Sequence, residues 1–125
     1  MFQHKADTII CIGSNIDDKM NIVVQALSAL ETMCRIDTHS SFYECPDESG
    51  IGSPYVNVVV RCVPTLGFDR FQSELKKLEQ KFGRTPESKS SGIMPLDIDI
   101  VVWHNKVVDP FEFSRSYFRK GLEQI

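Results

Sequence analysis

The stretch PLDIDIVVW, residues 95–103, places two carboxylates, Asp97 and Asp99, inside a run of otherwise apolar residues. Aliphatic and β-branched residues favour a β-strand here, although carboxylates are uncommon in strands and costly to bury without a partner. Side chains alternate between the two faces of a strand. One face is expected to carry Leu96, Ile98, Ile100 and Val102, and the other Asp97, Asp99, Val101 and Trp103. The acids then lie about 6.6 Å apart along the strand, close enough to hold one small ligand.

Outward from this strand, the sequence alternates between strand and helix patterns. The predicted strands cover residues 7–13, 35–45, 55–63 and 96–103, and the predicted helices cover residues 20–34 and 68–82. The order β-α-β-β-α-β is the split βαβ pattern of a ferredoxin-like fold. We therefore expect an α+β, two-layer sandwich that has a mainly antiparallel sheet and helices on one face.

The segments between these elements are rich in turn-forming residues. Residues 46–54 and 83–95 are predicted loops, and a hairpin after Trp103 is expected to lead into a short fifth strand. The tail, residues 111–125, is expected to be partly helical. Since the helices occupy one face of the sheet, the other face is open to loops or to a ligand.

Composition limits the classes of protein that this chain can belong to. Its 125 residues are 42% hydrophobic and 25% charged, and no repeat or linker divides them, so we expect a single domain over residues 1–125. A formal net charge of −3 argues against general nucleic-acid binding. No apolar run approaches the ~20 residues of a membrane span, and residues 1–15 lack a leader pattern. A cytoplasmic protein without a membrane partner is therefore expected.

The cysteines and histidines do not form a recognisable catalytic or metal-binding pattern. Four cysteines lack C-x-x-C spacing, and three histidines are scattered along the chain. A zinc site or a serine-type triad therefore has little support, and the cysteines are expected to be reduced thiols.

The open face of the predicted sheet is expected to collect polar side chains from two strands. Alternation along residues 55–63 places Tyr55 and Asn57 on one face of their strand. Alternation along residues 96–103 does the same for Asp97 and Asp99. An amide can pair with the edge of a heterocycle and an aromatic ring can stack on it. Two carboxylates can hold Mg²⁺ together with waters and substrate phosphates. The alternative is that the acids are solvated, or are paired with a base such as Arg61.

Five short motifs occur in an order that resembles one enzyme family. They are IGSN at 12–15, SSFYECP at 40–46, YVNVVV at 55–60, LKKLEQKFGR at 75–84 and PLDIDI at 95–100. This order, over roughly residues 7–104, resembles 6-hydroxymethyl-7,8-dihydropterin pyrophosphokinase of folate biosynthesis. The resemblance implies transfer of pyrophosphate from ATP to the hydroxymethyl group of a reduced pterin.

The resemblance also assigns roles to individual residues. It implies that Asp97 and Asp99 hold two Mg²⁺ ions. It also implies catalytic roles for these two acids and for Arg84. The matching pterin contacts are Tyr55, Asn57, Cys45 and Pro46, and the matching nucleotide contacts are Glu79 and Arg84.

The chain departs from the family pattern at several phosphate-contacting positions. Family members usually read PRTLDLDI where this chain reads IMPLDIDI, so Met94 and Pro95 replace an Arg and a Thr. The preceding loop offers one base, Lys89, and the family's His has no match near Phe113. Candidate replacement bases for the nucleotide are Lys89, Arg115, Arg119 and Lys120, although the last three also suit a solvated helix face.

Three functions therefore remain open. The chain is expected to be a pterin pyrophosphokinase, with a catalytically impaired relative that binds a pterin, a nucleotide or a protein as the alternative. An unrelated ferredoxin-like interaction domain is the third possibility. The sequence does not identify a protein partner.

Overall fold

The computed structural model describes residues 7–125, so residues 1–6, on which the expectation about a leader partly rests, lie outside the described residues. The strands are β1 (Thr8–Ser14), β2 (Cys34–His39), β3 (Tyr43–Cys45), β4 (Tyr55–Pro64), β5 (Asp97–Trp103) and β6 (Lys106–Val107). The helices are α1 (Lys19–Leu30), α2 (Phe68–Lys81), α3 (Ser88–Ser91), α4 (Pro110–Ser114) and α5 (Ser116–Leu122). Within this described range, no helix has the length and apolarity that crossing a membrane requires.

The strands form one antiparallel sheet in the order β2-β4-β1-β5-β6, and β3 also pairs with β4. The predicted α+β, ferredoxin-like fold is confirmed. The first helix ends at Leu30, earlier than predicted, because Cys34 already pairs with Pro64 in the sheet.

The single strand predicted over residues 35–45 is interrupted. His39 pairs with Val60 and Tyr43 pairs with Asn57. The four residue steps from His39 to Tyr43 therefore lie opposite only three residue steps of β4. The extra residue breaks the ladder, as in a β-bulge, and divides the segment into β2 and β3.

The main core lies between one face of the sheet and the two long helices. It is built from Val23, Leu27 and Leu30 of α1, Phe71, Leu75 and Leu78 of α2, and the strand residues Ile10, Ile12, Val58, Val60, Ile98 and Ile100. These helix positions follow the three- and four-residue spacing that the sequence shows, which is why both helices were predictable.

A second, smaller core lies on the opposite face of the sheet. Phe118 and Leu122 of α5 pack there against Ile9, Val59 and Val101. Gly121 allows this close approach, because a methyl group built on it would lie 2.3 Å from Val59 Cγ2. The tail is helical, as expected, and it covers part of the face opposite the long helices.

Trp103 does not share a face with the acids, so this prediction is wrong. Ile9 pairs with Val102 and Ile10 pairs with Ile100, so β5 has one extra residue opposite β1. This bulge shifts the alternation by one position. Val102 therefore joins the smaller core, and Trp103 packs against Phe68 and Phe71 of α2.

Candidate functional site

A cavity of about 370 Å³ opens on the face of the sheet that carries the acids. Its floor is made by three neighbouring strands, because Gly13 of β1 pairs with Asn57 on one side and with Asp97 on the other. The walls come from residues 46–49, 89–94 and 109–117. The residues that line the cavity include Tyr55, Asn57, Asp97, Asp99, Arg84, Lys89, Pro46, Glu48, Met94, Asp109, Phe111, Glu112 and Tyr117.

Gly13 keeps the floor of this cavity open. A methyl group built on Gly13 would lie 2.7 Å from Asn57 Oδ1 and 3.3 Å from the Tyr55 ring. Any larger side chain at position 13 would therefore displace the amide and the aromatic ring that line the floor.

Arg84 neutralises part of the acidic charge at the floor. Its guanidinium lies 2.9 Å from Asp97 Oδ1 and 2.7 Å from Glu79 Oε2. The same Glu79 oxygen accepts a 2.7 Å hydrogen bond from the Ile98 backbone N–H. The basic partner of Asp97 is therefore Arg84, whereas Arg61 forms an ion pair with Asp7 at 3.4 Å.

Asp99 carries the most perturbed carboxyl group of the cavity. Burial, followed by the nearby charges of Asp97 and Glu112, raises the pKa of Asp99 to about 10. Burial also raises the pKa of Glu112, whose carboxylate accepts a hydrogen bond from the Tyr117 hydroxyl. Three carboxyl groups thus line the same cavity, and Arg84 contacts one of them, Asp97.

The carboxyl groups of the larger cavity suit a divalent cation that prefers oxygen ligands. In the described part of the chain, no group of three His, Cys, Asp or Glu side chains is arranged to hold a metal ion alone. Mg²⁺, however, commonly takes one or two carboxylates and completes its shell with water and phosphate oxygens. Asp97 and Asp99 fit that requirement, because both line the cavity and a cation would favour the charged form of Asp99, which burial and then the charge of Asp97 disfavour.

Most of the residues that the resemblance predicts to contact the pterin line the larger cavity. Tyr55, Asn57 and Pro46 line it, and Asn57 is buried. Burial, followed by the charge of Asp97, raises the pKa of Tyr55 to about 12. Cys45, which was predicted to contact the pterin, does not line the cavity.

The predicted nucleotide-contacting bases are spread over different places. Lys89 lines the cavity, and Arg115 lies at its rim, 3.3 Å from Glu48 Oε1 and 4.4 Å from the centre of the Phe111 ring. Neither Arg119 nor Lys120 lines the cavity. Arg119 lies over the Phe113 ring at 4.2 Å, and Lys120 Nζ is 5.4 Å from the centre of the Tyr43 ring.

A smaller cavity of about 180 Å³ adjoins the first on the side of α2. Both cavities are lined by Arg84, Asp97, Asp99 and Asp109, which therefore form the boundary between them. Glu79 lines the smaller cavity, together with Gln72, Lys76, Ile98 and Ile100. The acids are thus in a position to contact ligands in both cavities.

Asn15 ties the two loops beside the larger cavity to the end of β1. Its Oδ1 accepts from the Met94 N–H at 2.7 Å, and its Nδ2 donates to Gly92 O at 2.8 Å and to Ser53 O at 3.3 Å. The loops also approach each other closely, since a methyl group on Gly52 would lie 2.2 Å from Gly92 O. The Asn of the IGSN motif therefore holds the loops at this site in place.

The tail and the residues just before it contribute site residues that sequence reasoning did not find. Asp109, Phe111, Glu112 and Tyr117 all line the larger cavity. Asp109 caps α4 by accepting from the Glu112 N–H at 3.0 Å, and Pro110 follows it. The Asp-Pro pair is a helix-start signal that would have located α4. Nothing in the local pattern would have shown that α4 folds over the acids.

The fold and the site define a small α+β protein with an acidic, aromatic-walled ligand cavity beside a second cavity. The model of the 7,8-dihydro-6-hydroxymethylpterin-pyrophosphokinase family matches residues 9–125. The chain belongs to this family.

Individual relatives agree with the family match. A folate synthesis bifunctional protein, mitochondrial, of Arabidopsis thaliana is 33% identical over 130 residues, which cover 95% of this chain and 23% of the relative. A second folate synthesis bifunctional protein of that plant is 29% identical over 99 residues, 78% of this chain and 20% of the relative. The 2-amino-4-hydroxy-6-hydroxymethyldihydropteridine pyrophosphokinase of Aquifex aeolicus is 26% identical over 132 residues, 96% of this chain and 80% of the relative. The chain thus spans about a fifth of these plant relatives.

Proposed function

We propose that this chain transfers the diphosphate group of ATP to the hydroxymethyl group of 6-hydroxymethyl-7,8-dihydropterin, a step of folate biosynthesis. The observation that carries the proposal is the position of Asp97 and Asp99, which lie on the boundary between the two cavities. The larger cavity offers an amide and a tyrosine ring for a heterocycle. The smaller cavity offers apolar side chains and two bases, Lys76 and Arg84, beside acids that could hold the cation of a Mg²⁺–nucleotide.

In this reaction the pterin hydroxymethyl oxygen attacks the β-phosphorus of ATP. The bond between the β-phosphorus and the oxygen that bridges it to the α-phosphorus breaks, AMP leaves, and the hydroxyl proton passes to solvent. The protein contributes mainly position and charge stabilisation. Asn57 would orient the pterin edge and Tyr55 would pack against its ring.

Asp97 and Asp99 would hold two Mg²⁺ ions, which when bound supply charge neutralisation at the phosphates and a more acidic attacking hydroxyl. Arg84 would remain paired with Asp97 and would present its guanidinium to the phosphates at the cavity boundary. Lys89 would add a second positive charge from the loop. ATP and the pterin would be the ligands, and no nucleic-acid or membrane partner is proposed.

A second candidate is a relative that binds these ligands without turnover. Met94 places a buried apolar side chain in the cavity wall, and Arg115 is held by Glu48. The positive side chains in the described lining of the larger cavity are therefore Arg84 and Lys89. A phosphate that lacks an arginine contact can lose orders of magnitude in transfer rate while its binding is retained.

Isothermal titration separates these candidates from an unrelated interaction domain. A Mg²⁺–ATP analogue and 6-hydroxymethylpterin would be titrated singly and together into wild type and into Asp97→Ala/Asp99→Ala. The proposal predicts Mg²⁺-dependent nucleotide binding that the double variant loses, whereas Asp37→Ala, which removes an exposed strand acid outside the cavity, retains it. A folded wild type that binds neither ligand would exclude both the enzyme and the binding relative.

A further inference from the structure

Glu112 lies where the acids meet the aromatic wall of the larger cavity. Its backbone is fixed on both sides, because its N–H donates to Asp109 Oδ1 and its carbonyl accepts from the Arg115 N–H, each at 3.0 Å. The residue is 7% exposed. Its side chain therefore has little freedom to turn away from the cavity.

Two interactions of the Glu112 carboxylate join different parts of the site. It accepts a hydrogen bond from the Tyr117 hydroxyl, and it lines the larger cavity together with Asp99, whose pKa its charge helps to raise. Tyr117 is also held at its backbone, where its carbonyl accepts from the Tyr43 hydroxyl. The Tyr117 backbone is thus anchored to the sheet, while its hydroxyl is held by Glu112, which lines the larger cavity together with the acids.

We propose that Glu112 is a positioning residue that couples the Asp97–Asp99 pair to the Tyr117 ring in the cavity wall. The inference rests on the proposed function, in which these acids hold cations and the larger cavity holds the pterin. A cation held by the acids would change the charge interaction between Asp99 and Glu112, and the Tyr117 hydroxyl that Glu112 holds would move with the Glu112 carboxylate. The wall of the larger cavity therefore depends on the state of the acids.

Fluorine NMR of protein labelled with 3-fluorotyrosine can follow this coupling with Mg²⁺ alone. The chain has 3 tyrosines, so substitution of each by Phe assigns the resonances. Tyr55 is an internal reporter, because the charge of Asp97 acts on it directly and not through Glu112. In wild type, Mg²⁺ should shift the Tyr55 and Tyr117 resonances. In Glu112→Ala, the Tyr55 response should persist and the Tyr117 response should fall about fivefold or more, because the hydrogen bond is gone.

Conservative and remote variants distinguish coupling from a merely structural role. Glu112→Gln keeps an acceptor oxygen for Tyr117 and should retain about half of the Tyr117 response or more. Glu123→Ala, an exposed carboxylate beyond α5, should respond as wild type does. In addition, Mg²⁺ should strengthen 6-hydroxymethylpterin binding in wild type, and this dependence should disappear in Glu112→Ala and in Tyr117→Phe.

The possible outcomes separate the two proposals. A Tyr117 response that is unchanged in folded Glu112→Ala would overturn the coupling and leave the proposed function intact, as would a wild type in which Tyr55 alone responds. If neither tyrosine responds to Mg²⁺ in wild type, the proposed metal site fails and the coupling fails with it. If Glu112→Ala does not fold, Glu112→Gln and the Mg²⁺ dependence of pterin binding in Tyr117→Phe decide the question.

Discussion

At the scale of single residues, Asp99 shows that this site is built at the expense of stability. The carboxyl group is buried beside Asp97 and Glu112, and its pKa is raised to about 10. Such like-charge clusters are unfavourable for folding and typical of functional sites. Asp97 has Arg84 as a partner, whereas Asp99 forms no ion pair among the residues that the structure describes.

Asp99→Asn should stabilise the metal-free protein. The folded pKa of Asp99 lies above the usual value near 3.9 of an unfolded chain, so protonation stabilises the folded state at low pH. That stabilisation is lost progressively as the pH rises towards about 10. In EDTA at pH 8, the variant should gain about 1–2 kcal/mol of unfolding free energy in urea and depend less on pH. Asp37→Asn is the control, and a loss of stability in Asp99→Asn at pH 8 would contradict the prediction.

Gly13→Ala should damage the floor of the cavity. The new methyl group would lie 2.7 Å from Asn57 Oδ1 in a buried, paired strand, so we expect a loss of about 1–3 kcal/mol in urea unfolding and weaker pterin binding. Gly67→Ala is the matched control, because a methyl group there meets no atom within 4 Å. Equal pterin affinity in wild type and Gly13→Ala would show that Asn57 does not orient this ligand.

At the scale of elements, the regular strands and helices were predictable and the irregular ones were not. Periodicity located α2, because this helix buries one consistent face. A run of β-branched residues located β4, which is buried on both faces. The bulge opposite Ile9 and Ile10 moved Trp103 to the other face, and the extra residue near Ser40 divided one predicted strand into two. Bulges depend on how two strands pair, so the pattern within one strand does not reveal them.

Asn15→Ala should loosen both loops beside the cavity at once. The substitution removes three side-chain hydrogen bonds, to Ser53, Gly92 and Met94. We expect a loss of about 2–3 kcal/mol of unfolding free energy, since the bonds lie in a buried region. Hydrogen exchange should become faster in residues 46–54 and 85–94. Asn21→Ala, which removes an exposed bond to Asp18, is the control, and loops that exchange no faster in Asn15→Ala would refute this role.

At the scale of the whole molecule, the sequence predicted the floor of the site better than its walls. Alternation along β4 and β5 predicted that Tyr55 and Asn57 share a face with Asp97 and Asp99. The pairing of β1 with both strands brings these positions to one face, because Gly13 lies between Asn57 and Asp97. The contribution of the tail could not be predicted, because Glu112 and Tyr117 reach the cavity only when α4 and α5 fold back over the sheet. That packing depends on contacts distant in sequence, such as Gly121 against Val59.

The most direct test of the proposed function is phosphorus NMR of the protein with ATP, Mg²⁺ and 6-hydroxymethyl-7,8-dihydropterin. The proposal predicts that AMP and a diphosphate ester of the pterin accumulate in equal amounts. Both should fall by about a hundredfold or more in Asp97→Ala/Asp99→Ala, because charge stabilisation at the phosphates is lost, and Asp37→Ala should match wild type. Bound ligands that yield no AMP would contradict transfer and favour the binding relative, and AMP formation unaffected by loss of both acids would contradict the assigned site.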